Sequence, residues 1–201
     1  MALTLVSGPA LEPVSLDTAK SHCRVEVDED DDLIESLVTV ARRTAEHWRN
    51  EALITQTWNL LLDAWPEGDA LRIPNPPLQS VSSITYKDTD GDEATFAAAN
   101  YIVDTDKVPG AVVLAHGASW PGTALYPTSP ITVQFVAGYG DTANDVPEEV
   151  RQAMLLMIGH WYENREEVAV GRSAVVRAEQ IPLGARFLLG FERKIPGYSG
   201  F

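Results

Sequence analysis

The apolar period of this chain changes twice, and those changes limit its fold more than any other feature. Leu33, Ile34, Leu37, Val38, Ala41, Ala45 and Trp48 recur at spacings of three and four, so they line one stripe of a long helix over residues 30–50. Residues 53–64, 81–87, 101–104, 111–114 and 131–136 are instead short runs rich in β-branched and aromatic residues. Pro, Gly and Asp clusters separate them, which stops helices and forms turns. After Gly138-Tyr139-Gly140 the helical spacing returns in Val150, Ala153, Met154, Met157, Ile158 and Trp161, the stripe of a second long helix ending near Asn164.

Local signals sharpen this order. Ser15 and Asp17 open a short helix to about residue 25, because the Ser oxygen accepts an orphan N–H and an acid suits the positive helix end. Asp145, Pro147, Glu148 and Glu149 mark the start of the second long helix. Asp88-Thr89-Asp90-Gly91-Asp92 is a hairpin turn with Gly91 available for positive φ, and Pro74, Pro76 and Pro77 belong to an edge or crossover. Residues 166–182 read as extended or loose, and 182–193 as a last short amphipathic helix. The expected fold is α+β: a helical bundle of two long helices, a β-rich antiparallel insertion between them and an extended C-terminal tail. Its divisions are 1–52 for the N-terminal helices, 53–142 for the β insertion, 143–167 for the second long helix and 168–201 for the tail. No internal repeat suggests a solenoid.

Charge excludes several functions. Twenty-nine acids against fifteen bases give −14, which repels phosphate backbones and anionic membranes. The deficit sits at the front: residues 1–70 carry five bases and fourteen acids, whereas residues 168–201 carry five bases and two acids. The chain is an acidic body with a basic tail. The single Cys23 forms no internal disulfide and lacks a CxxC partner for zinc, so no metal and no cofactor is expected. The start, 1–9, lacks the pattern of a signal peptide, and no window approaches the ~20 apolar residues that cross a bilayer, so no membrane partner is expected and a cytoplasmic origin is.

Candidate chemistry is sparse. Gly117-Ala118-Ser119-Trp120-Pro121-Gly122 lacks the second Gly two residues after Ser that a nucleophile elbow requires. His160 and Glu163 suit a polar helix flank better than a metal site. The run 28–32 lacks the alternating ligands of a calcium loop, and the turn 88–92 has its Gly too early and no later Glu. No phosphate-cradling Gly loop is present. The alternative to a structural protein is a small hydrolase or carbohydrate-binding module on the β region, with Ser119, His116 and Asp104 or Asp106 as its polar set. A further alternative is a chaperone-like binder outside any particle.

Sixteen aromatics include several in loops and at the end: Trp65-Pro66, Trp120-Pro121, Tyr126-Pro127, Tyr198 and Phe201. Such residues favour partner contacts, although Trp-Pro pairs also close small clusters under turns. Trp48, Trp58 and Trp161 are expected in cores.

Longer segments carry a resemblance. Leu53-Ile54-Thr55-Gln56-Thr57-Trp58 leading to Leu62-Asp63-Ala64-Trp65-Pro66 comes first, followed by residues 76–86 (PPLQSVSSITY) and Tyr101-Ile102-Val103-Asp104. Val133-Gln134-Phe135-Val136-Ala137-Gly138-Tyr139-Gly140 with Val146-Pro147, and residues 160–166 (HWYENRE), continue it. With residues 13–20 (PVSLDTAK) and 181–185 (IPLGA), nearly the whole chain resembles one branch of the phage head-tail connector (adaptor) family. The resemblance implies a structural protein, not an enzyme, in the neck of a tailed phage or gene transfer agent, assembled in the host cytoplasm. It implies a homo-oligomeric ring, usually a dodecamer, beneath the portal and joined to a stopper or tail, with DNA passing through without specific binding. It also implies a helical bundle with a β-rich insertion, as the periods do. The acidic run 28–32 is denser than the family pattern needs.

On that reading the basic tail docks on the portal, with Arg172, Arg177, Arg186 and Arg193 pairing with its acids and Phe187, Leu188 and Phe201 as apolar anchors. Trp65, Trp120 and Tyr126 are the candidates for subunit or tail-side contacts.

Overall fold

A computed structural model describes residues 1–164 and 181–190 and the backbone of Val168–Gly171 and Ala174–Arg177. The chain divides into two compact units, one of Met1–Ala10 with Asn50–Tyr139 and the other of Leu11–Arg49 with Gly140–Phe201.

The first unit is built from strands β1 (Ala2–Ser7), β2 (Gln56–Leu62), β3 (Ala70–Arg72), β4 (Leu78–Lys87), β5 (Glu93–Thr95), β6 (Tyr101–Asp104), β7 (Ala111–Leu114) and β8 (Ile131–Ala137). The strict alternation of β8 sends Ile131, Val133, Phe135 and Ala137 to the core and leaves Thr132, Gln134 and Val136 on the other face. Five strands form an antiparallel sheet in the order β1-β2-β8-β4-β5, and three more form the sheet β3-β7-β6. Register places Leu60 opposite Val133 and Val133 opposite Ile84, and all three are fully buried. They share one apolar core with Leu71 and Val112 of the smaller sheet. Gly138, at φ 135°, lets β8 close on the preceding segment: a Cβ there would stand 2.6 Å from the Ile54 carbonyl. The turn after β4 forms as expected, with Gly91 at φ 88° and Asp88 accepting from the Asp90 and Asp92 N–H groups at 3.0 Å.

One division needs correction. Residues 1–10, grouped with the N-terminal helices in the span 1–52, contain β1, which pairs antiparallel with β2 in the β unit. Leu3 faces Leu60 across that ladder and packs against the core, so cross-strand burial holds the segment in the sheet.

The second unit contains α1 (Leu16–Cys23), α2 (Asp31–Arg49), α3 (Glu148–Glu163), the antiparallel pair β9 (Val168–Gly171) and β10 (Ala174–Arg177), and α4 (Leu183–Leu188). Ser15 caps α1, its Oγ accepting from the Thr18 N–H at 3.2 Å. Ile34, Val38, Ala41 and Ala45 of α2 are buried, as are Val150, Ala153, Met154, Met157 and Ile158 of α3, and the two helices pack together. Trp48, expected in the core, is 37% exposed at the end of α2.

Charges are buried here too. Arg42, 7% exposed, donates from Nε to Glu12 at 2.7 Å and from Nη1 to Glu46 at 2.7 Å. The acidic run has structural work: the Lys20 ammonium sits 2.7 Å from Asp28 and 2.6 Å from Asp31, and the Tyr162 hydroxyl donates to Asp30 at 2.5 Å. Hydrogen bonds to the two carboxylates raise the Lys20 pKa well above its ordinary value, and the same contact lowers that of Asp28.

The short helix expected over 182–193 forms at residues 183–188 as α4, which packs on α3 with Ala185 and Leu189 fully buried.

Candidate functional site

The portal-side residues predicted from sequence meet partly on α4. Pro182 opens the helix with its fixed φ, and Gly190 at φ 75° ends it, its N–H bonded to the Phe187 carbonyl at 3.1 Å. Ala185 and Leu189 face inward, and Gly184 leaves its Cβ position 3.5 Å from Leu156 of α3. Arg49, 7% exposed, donates to the Leu189 carbonyl at 3.3 Å and ties down the C-terminal end of α4.

This anchorage sends the opposite side of α4 to solvent. Phe187 is 80% exposed and Leu183 69%, while Leu188 is half-buried. The Arg186 guanidinium lies 5.9 Å from the centre of the Trp48 ring, a cation–π contact. The arrangement presents two large apolar side chains and a fixed cation on one helix, a composition suited to protein contact rather than to bond-making chemistry. Sequence reasoning missed Leu183 and Trp48; the signal for Leu183 was its position four before Phe187. Arg177 ends β10, where only the backbone is described, and Arg172, Arg193 and Phe201 lie outside the described residues.

The second predicted set lies in the β unit. Trp65 and Trp120 stack on each other with centroids 5.0 Å apart and planes 11° from parallel, and Phe96 and Tyr86 flank Trp65. Trp120 donates from Nε1 to the Gly68 carbonyl at 2.8 Å. Both rings thus pack against the sheet core, half-buried, whereas Tyr126 is 45% exposed. The structure brings Trp65 and Trp120 together and leaves Tyr126 outside their stack.

The hydrolase set is not assembled. Ser119 and His116 are exposed after β7, and the Asp104 carboxylate pairs with Lys107 at 2.7 Å. Among the described residues no hydrogen bond joins Ser119, His116 and Asp104, and no group of three His, Cys, Asp or Glu side chains is placed to hold a metal ion. In the helical unit, a cavity of about 300 Å³ is lined in part by Glu12, but Arg42 and the Thr39 hydroxyl engage both carboxylate oxygens. No helix among the described residues is long and apolar enough to cross a membrane.

Comparison with known proteins adds independent information. No curated protein matches the chain in sequence. Residues 13–109 match the family of phage gp6-like head-tail connector proteins. A chain in the structure of the virion of a native gene transfer agent particle is similar with TM-score 0.78 and 24% identity, over 100% of this chain and 99% of that one. A chain in the neck of an empty gene transfer agent particle, computed with C6 symmetry, gives 0.78 and 23% over the same shares. One in the neck of a native particle, computed with C12 symmetry, gives 0.72 and 25%, again over 100% and 99%. The chain is thus similar in sequence to phage head-tail connector proteins over residues 13–109, and similar in fold, along its whole length, to a chain of a gene transfer agent particle.

Proposed function

We propose that this protein is a structural neck component that forms a ring, of twelve copies, between the portal and the stopper or tail of a phage or gene transfer agent particle. The observation that carries this reading is the fold likeness along the whole chain to a component of a neck computed with C12 symmetry, joined to the connector-family match. The ring is a conduit for DNA and performs no reaction. A net charge of −14 in each copy suits a channel that must pass duplex without gripping it. Repulsion between exposed charges fades beyond roughly 8 Å at physiological salt, so it acts on duplex close to the wall.

Docking to the portal is assigned to the basic C-terminal region. Leu183, Arg186 and Phe187 on α4 form the part of it within the described residues; Leu188 supports them from a half-buried position. Arg172, Arg177, Arg193 and Phe201 extend it in sequence with positive charge and one more aromatic. Trp65, Trp120 and Tyr126 are assigned to subunit or tail-side contact.

The test uses the purified full chain and the portal protein of its particle. Replacing Leu183 and Phe187 together by Asp is expected to weaken portal binding about 30-fold, ~2 kcal/mol, with the melting temperature unchanged because both side chains are exposed. Unchanged portal binding in this variant and in one lacking 191–201 removes the portal assignment. Particles whose collar is complete without this polypeptide remove the functional reading itself.

A further inference from the structure

The five-stranded sheet has two unlike edges. At one, β1 pairs only with β2 among the described strands. Natural edge strands are guarded by charged side chains, Pro, β-bulges or covering segments, and of these β1 carries only a register shift between Leu5 and Ser7. β1 has no charged side chain and no Pro, and Leu5 and Val6 are 48% and 51% exposed. No charged side chain occurs in residues 1–11, and the Met1 ammonium pairs with Asp63 at 3.3 Å.

At the other edge, β5 covers only part of β4. Its register runs from Thr85 to Lys87, so the first six or so residues of β4 have no strand beside them on that side among the described residues. Gln79, Ser80 and Ser82 are exposed there, and 73–86 carries no charged side chain.

We infer that β1 of one copy pairs with the uncovered first half of β4 in the next copy, so that the sheets of neighbouring copies join edge to edge. This contact rests on the ring reading above and supplies the unlike-to-unlike joint that a ring needs. Length fits, since β1 and the open stretch of β4 have about six residues each, and the register shifts between Leu5 and Ser7 of β1 and at Leu78/Ser80 and Val81/Ser83 of β4 divide the ladder into short runs. Direction fits as well. Successive antiparallel pairings make β1 run opposite to β4, so a copy continued across the edge lays its β1 antiparallel to β4, in line with β5. Charge favours this contact: two chains of −14 meet with least repulsion where neither edge carries a charged side chain, and the one ammonium at the start of β1 is already paired with Asp63. The affinity comes from main-chain hydrogen bonds, as in strand addition generally.

Cysteine pairing tests the contact. Thr4 faces Asn59, Ser80 faces Val136 and Ser83 faces Gln134, so all three share the outer face of the sheet. In a Cys23→Ser background, Thr4→Cys combined with Ser80→Cys or Ser83→Cys is oxidised at high protein concentration, free and bound to portal protein, after circular dichroism has established folding. The expected result is a ladder of disulfide-linked species running beyond the dimer, which no single variant produces. A dimer from Thr4→Cys alone establishes β1 pairing with itself and overturns the proposal, as does the absence of a ladder from both double variants under both conditions. Portal binding without a ladder strikes this contact alone. A ladder without portal binding strikes the functional reading and leaves the contact standing.

Discussion

The two units solve the problem of holding a small acidic chain together by different means. In the β unit, the three-strand row Leu60, Val133 and Ile84 and the Trp65–Trp120 stack are held by apolar burial, and Asp63, Asp88 and Asp104 bond at turns and strand ends. In the helical unit, charges sit between elements: Arg42 joins α2 to Glu12 of the preceding segment, Lys20 joins α1 to Asp28 and Asp31, and Arg49 joins α2 to Leu189. The difference teaches that the helical unit adds charged ties between its segments to the apolar packing of α2 on α3, whereas the β unit keeps its acids at turns and strand ends.

The contrast can be broken from either side. Phe135→Ala, at a fully buried position in the central strand β8, is expected to destabilise the protein by about 3–5 kcal/mol in denaturant unfolding. A loss below about 1 kcal/mol would mean that the β unit does not depend on its apolar core. In the helical unit, Arg42→Ala is expected to lose roughly 3 kcal/mol because the Glu12 and Glu46 carboxylates lose the part-buried guanidinium they share. Arg42→Met with Glu12→Gln is expected to recover much of that loss, and failure to recover it would assign the effect to packing.

The smallest effect is on acid stability. The Lys20 ammonium lowers the Asp28 pKa, and the Thr142 N–H and hydroxyl lower that of Asp145. A depressed carboxylate pKa stabilises the fold above its unfolded value of about 3.9, and that contribution disappears as pH falls through the folded value. Unfolding midpoints measured between neutral pH and acid should therefore decline below about pH 4, and Lys20→Gln should flatten the part that Asp28 supplies.

The period of the sequence made most of this architecture legible. Ile34, Val38, Ala41 and Ala45 sit at helical spacing and are buried; Ile131, Val133 and Phe135 alternate and are buried. Short strands without a long pattern were harder: Ala2–Ser7 holds its place through pairing with residues more than fifty positions away, which no local window contains. The same reason hid the partnership of Trp65 and Trp120, two loop aromatics brought face to face by the register of strands between them. On the candidate site, Phe187 and Arg186 were readable as an aromatic and a cation in a basic region. The exposure of Leu183 and Trp48 depends on which side of α4 and α2 meets a neighbour, and the stripe alone does not specify that for helix ends.

The route of the backbone between the two units has its own consequence. It crosses from one to the other after Ala10, after Arg49 and after Tyr139. Nicking the chain at any one of these crossings leaves two covalent links intact, so a protease acting there once cannot set either unit free. Synthesis faces the mirror image of that constraint, because β1 leaves the ribosome well before β2 and must wait for its ladder while the first two helices are made.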